Sequence, residues 1–145
     1  MSKIQQDAFE IAKGEIGVRE IAGVKTNPRI KEYHFSTSLK ADQDEVPWCS
    51  SFVNWCITQA GGKGTNFAWA RSWLVWGNKI DKPVAGDIVI FSRGSNLNQG
   101  HVGFLASKPK AYLPYVYVLG GNQNNEVNVS RYLKWNILGY RRAEA

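Results

Sequence analysis

Apolar residues recur at helical spacing in the first third of the chain. Ile4, Ala8, Ile11, Ala12 and Ile16 alternate with lysine, glutamine and glutamate, which predicts an amphipathic helix from Ser2 to about Gly17. Ser2 is suited to cap it, and Gly14 and Gly17 weaken its end. A short helix is expected after Pro28 in "NPRIKEYHFSTSL", followed by a loop. In "DEVPWCSSFVNWCITQAGG", Phe52, Val53, Cys56, Ile57 and Ala60 define one buried helical face, and Gly61 and Gly62 supply a stop. Pro47 suits the first helical position, which puts Cys49 in the first turn. A further helix is predicted over "FAWARSWLVWG", with Trp69, Trp73 and Trp76 forming a stripe for core packing and Gly77 ending it.

After Pro83 the period changes. "GDIVIF", "HVGFLAS", "YVYVLGG" and "NILGYRR" are short β-branched or aromatic runs, separated by turn chemistry in "SRGSNLNQG" and "GNQNN". Helices first and strands second predict an α+β fold, with N-terminal helices packed on a C-terminal antiparallel sheet. Residues 1–145 carry no repeat, low-complexity run or linker, so a single domain is expected.

Composition narrows the function classes. Hydrophobic residues make up 43% and charged residues 21%, and no apolar run approaches the roughly 18 residues of a membrane span, so stable membrane insertion is not expected. The start "MSKIQQDAFEIAKGEIG" lacks the pattern of a secretory signal. A formal charge of +6 favours an anionic partner such as a cell-wall polymer, a membrane surface or nucleic acid. The bases are scattered, and no recognition helix, RNP-like strand or zinc-finger spacing is present, so nucleic acid is not the expected partner.

Candidate chemistry centres on the two cysteines. On one helix, Cys49 and Cys56 lie roughly 10 Å apart, at about 1.5 Å of rise per residue, too far for a disulfide. The spacing does not suit zinc, and the only histidines are His34 and His101, so no metal is expected. Cys56, among apolar neighbours, reads as a small core residue. Cys49 faces the N-terminal amides and the positive end of the helix dipole, which favour a thiolate. Packing and nucleophilic catalysis both remain open for it on spacing alone. His101, at the start of an apolar strand after "GSNLNQG", is either an ordinary strand-end histidine or the better partner for Cys49, its ring placed at a sheet edge facing a cleft. His34, in a polar loop, reads as a surface or satisfied residue. Asn122 and Gln123 emerge directly after an apolar strand, where Asn122 is placed to accept the imidazole N–H or simply to form a polar turn. Asp44 and Glu45 are alternatives for orienting His101, capping the helix or binding substrate amines.

"PWCSSFVNWC", "AWARSWLVWG", "PVAGDIVIF", "GHVGF", "VLGGNQNNEVNVS" and "LGYRR", in this order, resemble the CHAP-type branch of the NlpC/P60 superfamily of papain-like cysteine peptidoglycan amidases and endopeptidases. The resemblance implies a papain-like α+β fold, with Cys49 as nucleophile, His101 as general base and acid, and Asn122 as the polar third residue. It implies a thioester acyl-enzyme, with the Cys49 amide as the first oxyanion donor and Asp44, Glu45 and Gln123 as supporting groups. Many CHAP domains carry an acid two residues before that asparagine, and here the position is Gly120. Trp48, Trp69 and Tyr112 are candidates for the substrate groove.

The activity implied is hydrolysis of an amide bond in peptidoglycan, in the stem peptide or at the muramoyl–L-alanine linkage, without metal or organic cofactor. The enzyme is expected to be a monomer, made without a signal peptide and acting on the wall after release through a phage pore or a secretion machine. It would then be an endolysin, or an antibacterial effector with an immunity or inhibitor protein as partner. Alternatives in other classes are a non-catalytic wall-binding or phage structural module of the same fold, and a cytoplasmic cysteine amidase.

Overall fold

The computed structural model describes residues 1–21, 27–38 and 47–144, so Asp44 and Glu45 lie outside the described residues. Helix α1 spans Lys3–Gly14, and the Ser2 hydroxyl caps it by accepting from the Gln5 amide. Its buried residues include Ala8, Phe9 and Ala12. Helix α2, Pro28–Phe35, opens with Asn27 capping the Arg29 amide and proline at the first position, where the missing N–H is not needed.

Helix α3, Cys49–Gln59, starts later than the proline suggested: Trp48 is its N-cap and Pro47 lies outside, so Cys49 is its first residue. Nor is it buried on one face alone, for every residue from Cys49 to Ile57 is buried. The polar members of that run are satisfied within the core. Ser51 Oγ lies 2.9 Å from His34 Nδ1, Ser50 Oγ donates to the Phe67 carbonyl and accepts from Trp73 Nε1, and Asn54 Nδ2 donates to the Ser50 carbonyl. His34 is therefore a fully buried residue of α2, not a surface residue. No helix among the described residues is long and apolar enough to cross a membrane.

The tryptophan segment differs from its predicted form. It is a 3-10 turn, Ala70–Val75, flanked by Trp69 and Trp76. At about three residues per turn, positions four and seven after Trp69 share a face that Trp69 does not. Trp73 and Trp76 accordingly pack edge to face at 4.8 Å, while Trp69 is 49% exposed.

Six strands follow: β1 Asn78–Lys79, β2 Ile88–Ser92, β3 Gly100–Leu105, β4 Tyr115–Gln123, β5 Glu126–Leu133 and β6 Ile137–Arg142. They form one antiparallel sheet in the order β1-β6-β2-β3-β4-β5. The unpredicted β5 pairs with β4 through a tight "NN" turn, where Asn124 and Asn125 take positive φ. On one face Ile88, Ile90, Val102, Phe104 and Leu119 pack against α1 and α3; on the other Val89, Phe91, Leu105, Val116 and Val118 form a second cluster with Tyr132 and Tyr140. The continuous "IVIF" run is thus a strand covered on both sides. Asp87, fully buried before β2, is held by the Arg142 guanidinium on β6 at 2.6 and 2.7 Å.

Candidate active site

Cys49 lies against β3. The Val102 amide is directed at its sulfur, and Gly100 lines the same cleft. The residues before and after His101 thus bracket the thiol. The geometry follows from a gap in the sheet. Strand β3 pairs with β4 at Phe104↔Leu119 and Leu105↔Val118, after which β4 turns away through a bulge between Gly120 and Gln123. The start of α3 fills the space. A Cβ at Gly121, within the bulge, would stand 2.7 Å from the Trp48 ring and 2.8 Å from Phe52 Cβ, so this residue must be glycine for the helix to approach.

The N-cap does nothing to occupy the helix amides. The Trp48 indole donates instead to Glu20 Oε1 at 2.8 Å, and the Trp48 side chain makes no cap bond to α3. The amides of Cys49 and Ser50 remain turned toward the sulfur, where they favour the thiolate, as does the charge of Arg93. Burial outweighs them: Cys49 is 7% exposed, and its thiol is pushed up from its ordinary value instead of down as the helix position suggested.

His101 is 2% exposed and sits in an interior strand of the sheet, not at an edge. Its ring stacks on Tyr132 at 4.9 Å and lies 6.3 Å from Phe91. Burial lowers its pKa to about 4, with the Gln123 hydrogen bond opposing that shift and Arg93 adding to it. Both members of the pair are therefore held neutral at rest.

The side chain that meets the His101 ring is that of Gln123, not that of Asn122. Gln123 Oε1 lies 2.9 Å from His101 Nε2, whereas the Asn122 side chain makes no hydrogen bond among the described residues. The bulge explains the exchange. Asn122 takes φ 56° as the extra residue, which brings the Gln123 side chain to the face of Gly120. A Cβ at Gly120 would stand 2.5 Å from Gln123 Oε1 and 3.4 Å from His101 Nε2, so the glutamine amide occupies the room an acidic side chain would need.

Gln123 also settles the imidazole tautomer. Its Nε2 donates to the carbonyls of Val118 and Asn128 and to Asn128 Oδ1 at 2.9 to 3.1 Å, so Oε1 has to face the histidine. A carbonyl oxygen accepts, so His101 Nε2 carries the proton. Nδ1 keeps its lone pair and is buried with no hydrogen-bond partner. A neutral ring nitrogen that keeps its lone pair can serve as a base.

The remaining expected groove residues separate. Trp48 is fully buried and belongs to the core. Trp69 lines the cleft of about 210 Å³ that holds Cys49, together with Pro47, Arg93 and Gln99. Tyr112 is 78% exposed on the connection from β3 to β4, beyond the end of β3 opposite His101. Cys56 is fully buried and, like Cys49, a free thiol.

Two site residues escaped the sequence reading. Tyr132 lies on the unpredicted β5. Arg93 directly follows β2, and pairing the "VIF" and "HVGF" runs across their polar loop would have brought it beside the start of β3.

A sequence-family model described as the CHAP domain matches residues 41–122, more than half of the chain and the segment carrying both Cys49 and His101. The chain belongs to the CHAP family. No curated protein sequence matches it. Among solved structures it is similar to NlpC1 from Trichomonas vaginalis, with TM-score 0.59 and 17% identity over 98% of this chain and 45% of that one. An NLP/P60-family protein similar to a lipoprotein, from Staphylococcus aureus, gives TM-score 0.53 and 15% identity over 100% of this chain and 43% of that one. The P60 domain of an antigen from M. avium subspecies paratuberculosis gives 0.56 and 14%, over 97% of this chain and 93% of that one. At these identities the likeness is one of fold, and this CHAP chain spans less than half the length of the first two.

Proposed function

We propose that this CHAP domain is a cysteine-dependent peptidoglycan hydrolase that cleaves an amide bond of the stem peptide or the muramoyl–L-alanine linkage. The observation that carries the reading is the CHAP match over the segment holding both Cys49 and His101, with Cys49 opening α3 in a cleft that Gly100 also lines and His101 Nε2 held by Gln123 while Nδ1 stays unpartnered. In the proposed reaction the Cys49 proton passes to His101 Nδ1 as the sulfur attacks the carbonyl carbon. The neutral resting pair suits general-base activation at the moment of attack, without a standing thiolate. The Cys49 amide, which the Trp48 side chain does not cap, is the first donor to the tetrahedral oxyanion. His101 then returns the proton to the departing amine and leaves a thioester on Cys49, which water hydrolyses with His101 again as base.

Charge supports a wall substrate. Residues 88–145 contain seven lysines and arginines against two acids, so the positive charge resides on the sheet half of the molecule. On this reading the protein works at the cell wall as a phage endolysin or an exported effector. Mass spectrometry of fragments released from purified peptidoglycan tests it. The wild-type chain should yield defined muropeptides whose masses name the bond, and Cys49→Ala, folded by circular dichroism, should yield none. Equal cleavage by Cys49→Ala would overturn the proposal.

A further inference from the structure

Among the described residues, Arg93 is the one cationic side chain lining the cleft that holds Cys49. It is exposed and has neither an ion-pair nor a hydrogen-bond partner among the described residues. Its position is not left to a free loop. The Arg71 guanidinium donates to the carbonyls of Gln99 and Asn96 at 2.7 and 3.3 Å, and the Trp69 indole donates to the Asn98 carbonyl at 3.0 Å. These bonds tie the β2–β3 loop to the tryptophan turn, and Arg93 opens that loop directly after Ser92. Its charge is felt by Cys49, His101 and Tyr132, which places it within electrostatic reach of the thiol and of the ring stacked on the histidine. No described acidic residue lines the cleft to neutralise it.

A guanidinium held open beside a nucleophile is arranged to meet a planar anion, and its fork matches a carboxylate. An oxyanion donor is already available on the opposite wall, from the Cys49 amide at the start of α3. We propose that Arg93 binds a carboxylate of the substrate next to the scissile amide, so that the enzyme selects wall peptides with free carboxyl groups over those with carboxamides. This inference rests on the hydrolase reading and assigns the specificity of the same cleft.

The test uses one batch of purified peptidoglycan in two forms, native and with its carboxyl groups converted to carboxamides by carbodiimide and ammonia. Initial rates of fragment release are compared for the wild-type chain, Arg93→Gln and Lys108→Gln. Lys108 is exposed, lies beyond the far end of β3, and its replacement removes the same unit of charge. Losing a charge-assisted hydrogen bond predicts that amidation slows the wild type about ten- to hundredfold and that Arg93→Gln slows cleavage of native wall by about the same factor. On amidated wall Arg93→Gln and wild type should agree within about twofold, and Lys108→Gln should track the wild type on both, as expected for an exposed surface charge. Equal losses for Arg93→Gln on both walls would assign Arg93 to the transition state and overturn the proposal. So would a wild type that cleaves both walls at one rate. If the wild type cleaves neither wall, the hydrolase reading has failed, and the carboxylate site is read from co-sedimentation of Cys49→Ala. Retention on native wall about tenfold above amidated wall, erased by adding Arg93→Gln, supports the site, and equal retention refutes it.

Discussion

Replacing Gln123 with leucine keeps most of the side-chain volume and removes the amide that holds His101. In the wild type that amide is locked by its two Nε2 hydrogens, shared among three acceptors, and presents Oε1 to His101 Nε2 at 2.9 Å, with Gln123 3% exposed and His101 2% exposed. Leucine would leave the Nε2–H unpaired in a site without water access, a cost of about 1–3 kcal/mol. Without that acceptor nothing fixes the proton on Nε2, and rings that carry it on Nδ1 lack the lone pair the proposed base needs. If the cost appears in the transition state, kcat/KM falls about 5- to 150-fold. Asn122→Gly is the control. Asn122 is a backbone bulge residue at φ 56°, a conformation glycine adopts freely, so its rate should stay within about twofold of wild type. Rates of muropeptide release, corrected for folded fraction by circular dichroism, measure both. Nitrogen NMR of the imidazole adds a readout that mere destabilisation would not move: protonated Nε2 in the wild type and a shifted tautomer in Gln123→Leu. An unchanged rate in Gln123→Leu together with a collapse in Asn122→Gly would refute the assignment.

Two further predictions concern stability. His101 has its pKa lowered from 6.5 to about 4 by folding, so the unfolded chain binds its proton first as pH falls. Stability carried by the neutral ring is present above about pH 6.5 and is lost toward pH 4, by about 2.5 kcal/mol between pH 7.5 and 4.5. Urea unfolding of the wild type and His101→Gln at both pH values should show the wild type losing that much more, and parallel losses would contradict the burial argument. Arg142→Gln would strand the fully buried Asp87 carboxylate with the Val84 amide as its remaining partner, and should cost about 3–5 kcal/mol in the same assay. A loss below about 1 kcal/mol would contradict the role given to this ion pair.

Much of this fold was legible because burial imposes periodicity. The α1 pattern, the α3 face and four of the strands all record which side meets the core. What the sequence concealed was local geometry. The 3-10 turn kept helix-like spacing of tryptophans while rotating Trp69 out to the cleft. Strand β5 alternates Val127 and Val129 with polar residues on a half-exposed surface, a short signal that follows directly on the polar turn "GNQNN". The site divided in the same way. Cys49 and His101 were candidates from their places on a helix start and a strand start, and the family resemblance singled them out. The choice between Asn122 and Gln123 could not be made, because one extra residue in a bulge reverses which neighbour faces the histidine. Nor could the protonation state be read. A helix N-terminus argues for a thiolate, and only the depth of burial shows that the thiol stays neutral.

The central claim is that Cys49 forms a covalent bond with the substrate carbonyl during turnover. Acid-quenched intact-mass spectrometry of the chain mixed with soluble muropeptides addresses it directly. The account predicts an added mass equal to the acyl half of the cleaved peptide, located on the peptide containing Cys49 and released by hydroxylamine. Fragment release with no such adduct on Cys49, or an adduct of the same mass on Cys49→Ala, would contradict it.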